Sequence, residues 1–262
     1  MIAYVQHKDI LGDLYIPAKE KNNGIGLVWL AGLPNKPMAE DMGKPLSDLG
    51  FTVLQARYPG NWQSYGDFGP STSLDGAILG LELLSQGQTI NLNNQKEVSW
   101  NVEHLVLVGV SYGGGIAISA LGSTDLADAA IALCPLIEPE YQNTDPALPE
   151  DDLATLYPYL KRCHENVYRN LDEKEWLNYI QGNHIAIPAN YLENLKEKPL
   201  LLIHGTEDHA IRHFHTQNFY NILKSFGSEK VGLHIAEGIG HGTELRTTTR
   251  DRWIHWLNEL FG

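Results

Sequence analysis

The sequence predicts an α/β fold: a mostly parallel, doubly wound sheet covered by helices, with one insertion. Three observations carry that expectation. Short apolar runs rich in β-branched residues recur at 25–31, 51–57, 105–108, 129–134, 200–204 and 231–236, as buried strands do. Segments with apolar residues three and four apart separate most of them, and this alternation builds parallel strands with helices on both faces. The strand at 105–108 then runs into Gly109-Val110-Ser111-Tyr112-Gly113 and a run of small apolar residues from Ile116. A tight glycine-flanked turn between strand and helix is the expected context of a nucleophile elbow.

Taken in order, residues 2–16 alternate as two short antiparallel strands ending at Pro17, where a ladder hydrogen bond is lost. A charged turn at 19–24 leads to the strand 25–31 and then to a loop dense in breakers, Gly32-Leu33-Pro34-Asn35-Lys36-Pro37. A helix over 38–49 precedes the strand 51–57. The following loop, 58–73, is long and carries Trp62, Tyr65 and Phe68, a combination typical of functional loops. Helical spacing covers 74–84, and 86–100 reads as a polar excursion. Beyond the strand 129–134 the alternation stops. Residues 136–198 form an acidic and aromatic insertion, with helices over 152–168 and 172–180, the second capped by Asp172 with Glu175 three residues on. The rhythm resumes with the strand 200–204, a helix over 213–226, the strand 231–236 and a closing helix over 245–260. The expected organisation is a core of 1–135 and 199–262 with 136–198 as a cap above the sheet.

Composition narrows the function. The chain has 262 residues, compatible with a single α/β domain, and its 25 glycines and 13 prolines are ordinary. Two cysteines are too few for a disulfide framework; Cys134, at the end of an apolar strand, reads as a small core residue. The amino terminus lacks a basic region followed by a long apolar run, which predicts neither signal nor anchor and a cytoplasmic location. With 32 acidic against 19 basic residues the net charge is −13. That balance disfavours nucleic acids and anionic membranes as partners. A small-molecule acyl substrate, handled by a monomer or homodimer, is the expectation.

A serine hydroxyl is a weak nucleophile near neutral pH, so Ser111 requires a base and a group to orient that base, in the downstream order acid then histidine. The strand 200–204 runs into Gly205-Thr206-Glu207-Asp208, and the last strand is followed by Gly238-Ile239-Gly240-His241-Gly242. Both loops lie at strand carboxyl ends, where sheets of this type collect ligands. Asp208 is preferred to Glu207 because the shorter side chain is the commoner orienter. Three glycines in five residues free His241 to reach over the sheet edge, whereas His204, inside an apolar strand, and His255, on the last helix, are read as uninvolved. His209, His213 and His215 lie close together in sequence, but without H-E-x-x-H or paired cysteines they read as a solvated helix start rather than a metal site. No metal or cofactor is expected. A tetrahedral intermediate needs two oxyanion donors: the Tyr112 N–H beside the nucleophile, and the Leu33 N–H in the loop after the first central strand. Pro34 has no N–H to offer. Trp62, Tyr65, Tyr157 and Trp176 are the expected substrate-binding aromatics.

Through GVSYGG, GTEDHAI and GIGHGTE in that order, the chain resembles the α/β-hydrolase superfamily, over nearly all of its length outside 136–198. ILGDLYIP, ARYPG with GDFGPSTSLDGAI, and the elbow resemble most closely the dienelactone hydrolase and prolyl-oligopeptidase-like branch. The resemblance implies Ser111 as nucleophile, His241 as general base, Asp208 as its orienter, and an acyl-enzyme mechanism without cofactor. Three features depart from the pattern. The His-Gly pair common at the oxyanion loop is Ala31-Gly32, and Leu30 stands where oligopeptidases offer a tyrosine. The amino-terminal propeller of true oligopeptidases has no counterpart in this sequence. The expected activity is cleavage of a carboxylic ester. An amidase or aminopeptidase is the alternative, its ammonium partner sought at Glu138, Glu140 or Asp145. Non-hydrolytic chemistry on the same fold, by an acyltransferase, lyase, cyclase or ligand receptor, stays open.

Overall fold

The computed structural model describes residues 1–36 and 42–262. Eight strands form one sheet in the order β1-β2-β4-β3-β7-β8-β9-β10, namely β1 (Ile2–His7), β2 (Ile10–Tyr15), β3 (Ile25–Leu30), β4 (Thr52–Arg57), β7 (His104–Val110), β8 (Ala129–Leu133), β9 (Leu200–Gly205) and β10 (Val231–Ala236). Pairing is antiparallel at β1/β2 and β2/β4 and parallel from β4 onward. The sheet is thus the doubly wound, mostly parallel one the sequence predicts.

Strand alternation loads both faces. Ile25, Leu27 and Trp29 of β3 and Val106, Val108 and Val110 of β7 join one buried cluster, while Val28, Leu30, Leu105 and Leu107 join the other, since successive side chains of a strand point to opposite faces. The first cluster is closed by α1 (Gly43–Asp48) and α9 (Arg250–Phe261) through Leu46, Trp253 and Leu257. The second is closed by α2 (Pro70–Ser85), α3 (Tyr112–Ser123) and α7 (His213–Ser225) through Leu81, Ile116 and Phe219. Leu160, Tyr168, Trp176 and Tyr179, from the 136–198 segment, belong to this same second cluster.

Several elements differ from expectation at their ends. The helix expected over 38–49 is described from Gly43; positions 38–41 lie outside the described residues. α2 opens at Pro70 rather than 74, because proline is pre-set for the first helical position. The polar stretch 86–100 holds a two-stranded hairpin, β5 (Gln88–Asn91) with β6 (Lys96–Ser99), hooked to β1 by the Leu92 N–H on Tyr4 O. α3 begins at Tyr112, so its first turn contains the glycines 113–115. In the 136–198 segment the helices are α4 (Leu153–His164), α5 (Glu173–Ile180) and the short α6 (Leu192–Leu195). The closing helix is two, α8 (Thr243–Thr248) and α9, parted at Thr249, whose hydroxyl turns back to Leu245 O at 2.7 Å. No described helix is long and apolar enough to cross a membrane.

β3 lies between β4 on one side and β7 on the other. Chain order therefore reverses at β3/β7, and such a switch point opens a crevice at the strand carboxyl ends. Leu30 is in register with Gly109, which brings the loop after β3 beside the turn after β7.

Candidate active site

Ser111 occupies that turn with φ 56° and ψ −122°, a positive-φ backbone that a side chain adopts only under strain. The flanking glycines make the turn possible. A Cβ on Gly109 would stand 2.0 Å from Gly113 O, and one on Gly113 would stand 2.3 Å from Leu30 O. The turn is pinned by the Ser111 N–H on Leu133 O at 2.9 Å and by the Leu136 N–H on Ser111 O at 3.0 Å.

The two loops carrying the other candidate groups are zipped together. The Glu207 N–H donates to Ile239 O at 3.0 Å, and the Gly238 N–H to Thr206 Oγ1 at 2.8 Å. This brings His241 Nδ1 to 2.6 Å from Asp208 Oδ2. Asp208 is fully buried, while Glu207 points outward toward His209, so the carboxylate facing the imidazole is that of Asp208. Its Oδ1 accepts the N–H groups of Ala210 and Ile211, each at 2.9 Å. Its Oδ2 has a second nitrogen neighbour, His204 Nε2 at 3.1 Å. His204, read from sequence as uninvolved, is a correction: its ring touches the carboxylate rather than packing inertly in the core. A buried polar side chain requires partners, and a histidine four residues before an acid, at the strand-to-loop junction, was the available signal.

Electrostatics follow from these contacts. Burial raises the Asp208 carboxyl, but hydrogen bonds from His204, His241 and Ile211 outweigh it and hold the group far below the usual carboxylate range. Burial lowers His241, but Asp208 and the adjacent Cys134 outweigh it and carry the imidazole above its usual range. Cys134 is buried, as expected, with φ 39°. Among the described residues it forms, with Asp208 and His241, the one group of three His, Cys, Asp or Glu side chains that bring one N, O or S atom each within 4.8 Å of one another.

Ser111 and His241 line two cavities together. One, of about 510 Å³, runs beneath α4 and α5 and is walled by Leu33, Leu136, Leu153, Leu156, Tyr159, Trp176 and Ile211, with Asp151, Asp152 and Arg162 also lining it. The other, of about 460 Å³, lies against Trp29, Asn35, Lys36, Thr243 and Arg246. Leu33 lines both; Tyr112 lines the first. Among the described residues neither the Leu33 nor the Tyr112 N–H has an acceptor within the chain. The Tyr112 ring turns away from Ser111 into an aromatic cluster with Tyr58, Trp176 and Tyr179, its hydroxyl bonded to Ser73 Oγ at 2.9 Å.

Of the four expected substrate-binding aromatics, Trp176 is a cavity wall, anchored by its Nε1–H on Leu153 O. Trp62, Tyr65 and Tyr157 line neither cavity. Tyr65 is exposed, and Tyr157 reaches toward Leu171 O, just before the start of α5. Trp62 braces the loop after β3 instead. Its indole N–H donates to Asn35 Oδ1 at 2.9 Å, Asn35 Nδ2 donates to Gly32 O at 3.1 Å, and the Asn35 N–H donates to Tyr168 Oη at 2.8 Å. The Tyr58 hydroxyl donates to Ala31 O at 2.9 Å. Sequence reading missed Asn35, Tyr58 and Tyr168 because the bonds joining them to Trp62, Ala31 and one another span 27 to 133 residues of chain.

The 136–198 segment is fastened to the sheet helices. Asp172 accepts the Glu175 N–H, but the Glu175 side chain does not complete a capping box; its Oε1 accepts the Ser71 N–H at the start of α2 at 2.8 Å and faces His184 Nε2 at 3.3 Å. Burial raises Glu175, yet His184 and Ser71 outweigh it and push the group down to about 2. His215 on α7 is sandwiched between Glu150 at 3.1 Å and Glu138 at 3.6 Å. His209 is exposed beside Glu207, so it and His215 face different surroundings. Glu138, Glu140 and Asp145 line neither cavity beside Ser111.

The sheet, its switch-point crevice and the serine turn define a hydrolase of the α/β-hydrolase fold. Residues 92–262 match the prolyl oligopeptidase family, and the chain belongs to it. An esterase from Pyrococcus furiosus superposes with a TM-score of 0.65 at 18% identity, covering 99% of this chain and 88% of its own. Est1E from Butyrivibrio proteoclasticus gives 0.63 at 16%, over 99% and 98%. The acylaminoacyl peptidase of Pyrococcus horikoshii gives 0.67 at 20%, over 97% of this chain but only 40% of the peptidase. At these identities the likeness is one of fold. A search of curated proteins finds no significant match.

Proposed function

We propose that the chain is a serine esterase in which Ser111 attacks a carboxylic ester and His241, oriented by Asp208, moves the protons. The observation that carries this reading is the His241–Asp208 bond at 2.6 Å, with His241 and the strained Ser111 lining the same two cavities. In acylation His241 takes the Ser111 proton as the Ser111 Oγ–acyl bond forms, then gives it to the departing alkoxide; in deacylation it takes a proton from water and returns it to Ser111. The free N–H groups of Leu33 and Tyr112 hold the oxyanion; one such donor typically contributes on the order of a hundred- to thousandfold in turnover. The cavity beneath α4 and α5, walled by Leu156, Tyr159 and Trp176, suits an aromatic or medium-length acyl group. One related solved structure, Est1E, has ferulic acid bound, which is consistent with such an acyl group. No cofactor takes part.

A peptidase is the second reading, favoured by the family match and by the Asp151 carboxylate on the cavity wall, a partner for a substrate ammonium. Three reagents separate the readings: a fluorophosphonate probe, short p-nitrophenyl esters and aminoacyl p-nitroanilides, each beside Ser111→Ala. Ester turnover and labelling that vanish in Ser111→Ala are expected. Anilide turnover above ester turnover selects the peptidase, and silence toward all three refutes a serine hydrolase.

A further inference from the structure

We propose that His204 is a positioning residue that sets the basicity of His241 by sharing its carboxylate oxygen. This rests on the reading of His241 as the proton carrier for Ser111. Both imidazoles meet Asp208 at one atom: Oδ2 lies 2.6 Å from His241 Nδ1 and 3.1 Å from His204 Nε2. His204 Nε2 also faces Ile211 O at 2.9 Å. A carbonyl and a carboxylate are both acceptors, so Nε2 carries a hydrogen. Its Nδ1, 2.7 Å from Thr216 Oγ1, meets a hydroxyl that can donate or accept. His204, Asp208 and Thr216 are all fully buried, so water does not substitute for any of these contacts.

An oxygen that already accepts one N–H is less basic toward the next. With His204 in place, Asp208 stabilises a His241 cation less than an unshared carboxylate would. The ring stays closer to neutral, the state that accepts the Ser111 proton. The Asp208 carboxylate keeps an anchor separate from His204, because Oδ1 accepts the Ala210 and Ile211 N–H groups. The titratable groups facing His241 are Asp208 after β9 and Cys134 after β8, with the Ser111 hydroxyl at the start of α3. His213, at the start of α7, feels both His204 and Asp208. Of these groups, only His204 and His241 share Oδ2.

The test compares His204→Phe, which removes the donor, with His204→Gln, whose amide reaches toward Oδ2. The pH dependence of kcat/KM for a p-nitrophenyl ester is measured alongside an NMR titration of the His241 ring in isotopically labelled protein. The expected result is an upward shift of the His241 titration and of the acid limb by about half a pH unit or more in His204→Phe, the scale of one donor lost from a carboxylate, with His204→Gln restored toward wild type. Should His204→Phe fail to fold, His204→Asn, smaller and too short to reach Oδ2, is read in the same way. A folded donorless variant whose His241 titrates at or below the wild-type position overturns the proposal. Because the NMR titration needs no turnover, it decides the matter even if wild type hydrolyses no ester and the esterase reading falls.

Discussion

Trp62 donates its indole N–H to Asn35 Oδ1 at 2.9 Å, and Asn35 in turn donates to Gly32 O. An aromatic from the long loop after β4 thereby sets the path of the loop that presents the Leu33 N–H. Trp62→Phe keeps the ring and loses one neutral hydrogen bond, worth about 1 kcal/mol. The expected outcome is a fall in kcat of roughly two- to tenfold with KM little changed, read from steady-state kinetics on a p-nitrophenyl ester. A change confined to KM would make Trp62 a substrate contact after all.

Asp208→Asn leaves the Ala210 and Ile211 N–H groups with an acceptor but can turn an amide N–H toward His241 Nδ1 and His204 Nε2. Two donors then oppose a donor, and His241 has to abandon the tautomer that leaves Nε2 free to act as base. Turnover should fall on the order of a thousandfold or more, while the melting temperature changes modestly. Single-turnover acylation followed by stopped flow separates this from slow product release.

Activity should rise with pH through a limb centred above 6.5. With His241 as the proposed base, only its neutral form accepts a proton, and its partners Asp208 and Cys134 hold it in the charged form beyond the ordinary histidine range. A pH profile of kcat/KM checks this; a limb at or below 6.5 would contradict it.

Glu175 ties α5 to the start of α2, and its carboxyl is pushed from the ordinary 4.5 down to about 2. A depressed carboxyl contributes stability that is fully present above its unfolded pKa and lost as pH falls through the folded one. Glu175→Gln should therefore lower the melting temperature at neutral pH. The gap to wild type should narrow between about pH 4.5 and about pH 2, as thermal melts across that range will show. A gap independent of pH would mean that the lost stability owes nothing to the charge.

Those parts of the fold and site that rest on local pattern were legible in the sequence. The central strands are apolar runs bounded by breakers, and Ser111, Asp208 and His241 each sit in a short glycine-marked loop at a strand end. What escaped was either polar or non-local. The β5/β6 hairpin lacks an apolar face to announce it, and Pro70 and the serines after it look like a turn until a distant carboxylate caps them. His204 was discounted because an apolar strand suggests inert packing, although it lies only four residues before Asp208. An aromatic in a long loop suggests a ligand contact for Trp62, whereas its indole N–H is taken up by Asn35 in the loop after the neighbouring strand β3.

The burial of Tyr168, Trp176 and Tyr179 in the same cluster as α2 and α3 has a practical meaning for redesign. A relative's counterpart of residues 136–198 cannot be grafted here as a module. The exchange would strip Tyr112 of its Trp176 and Tyr179 neighbours and uncap α2 in one cut. On the proposed reading, selectivity would be rewritten one wall position at a time, at Leu153, Leu156, Tyr159 or Ile211, with the rest of the segment left in place.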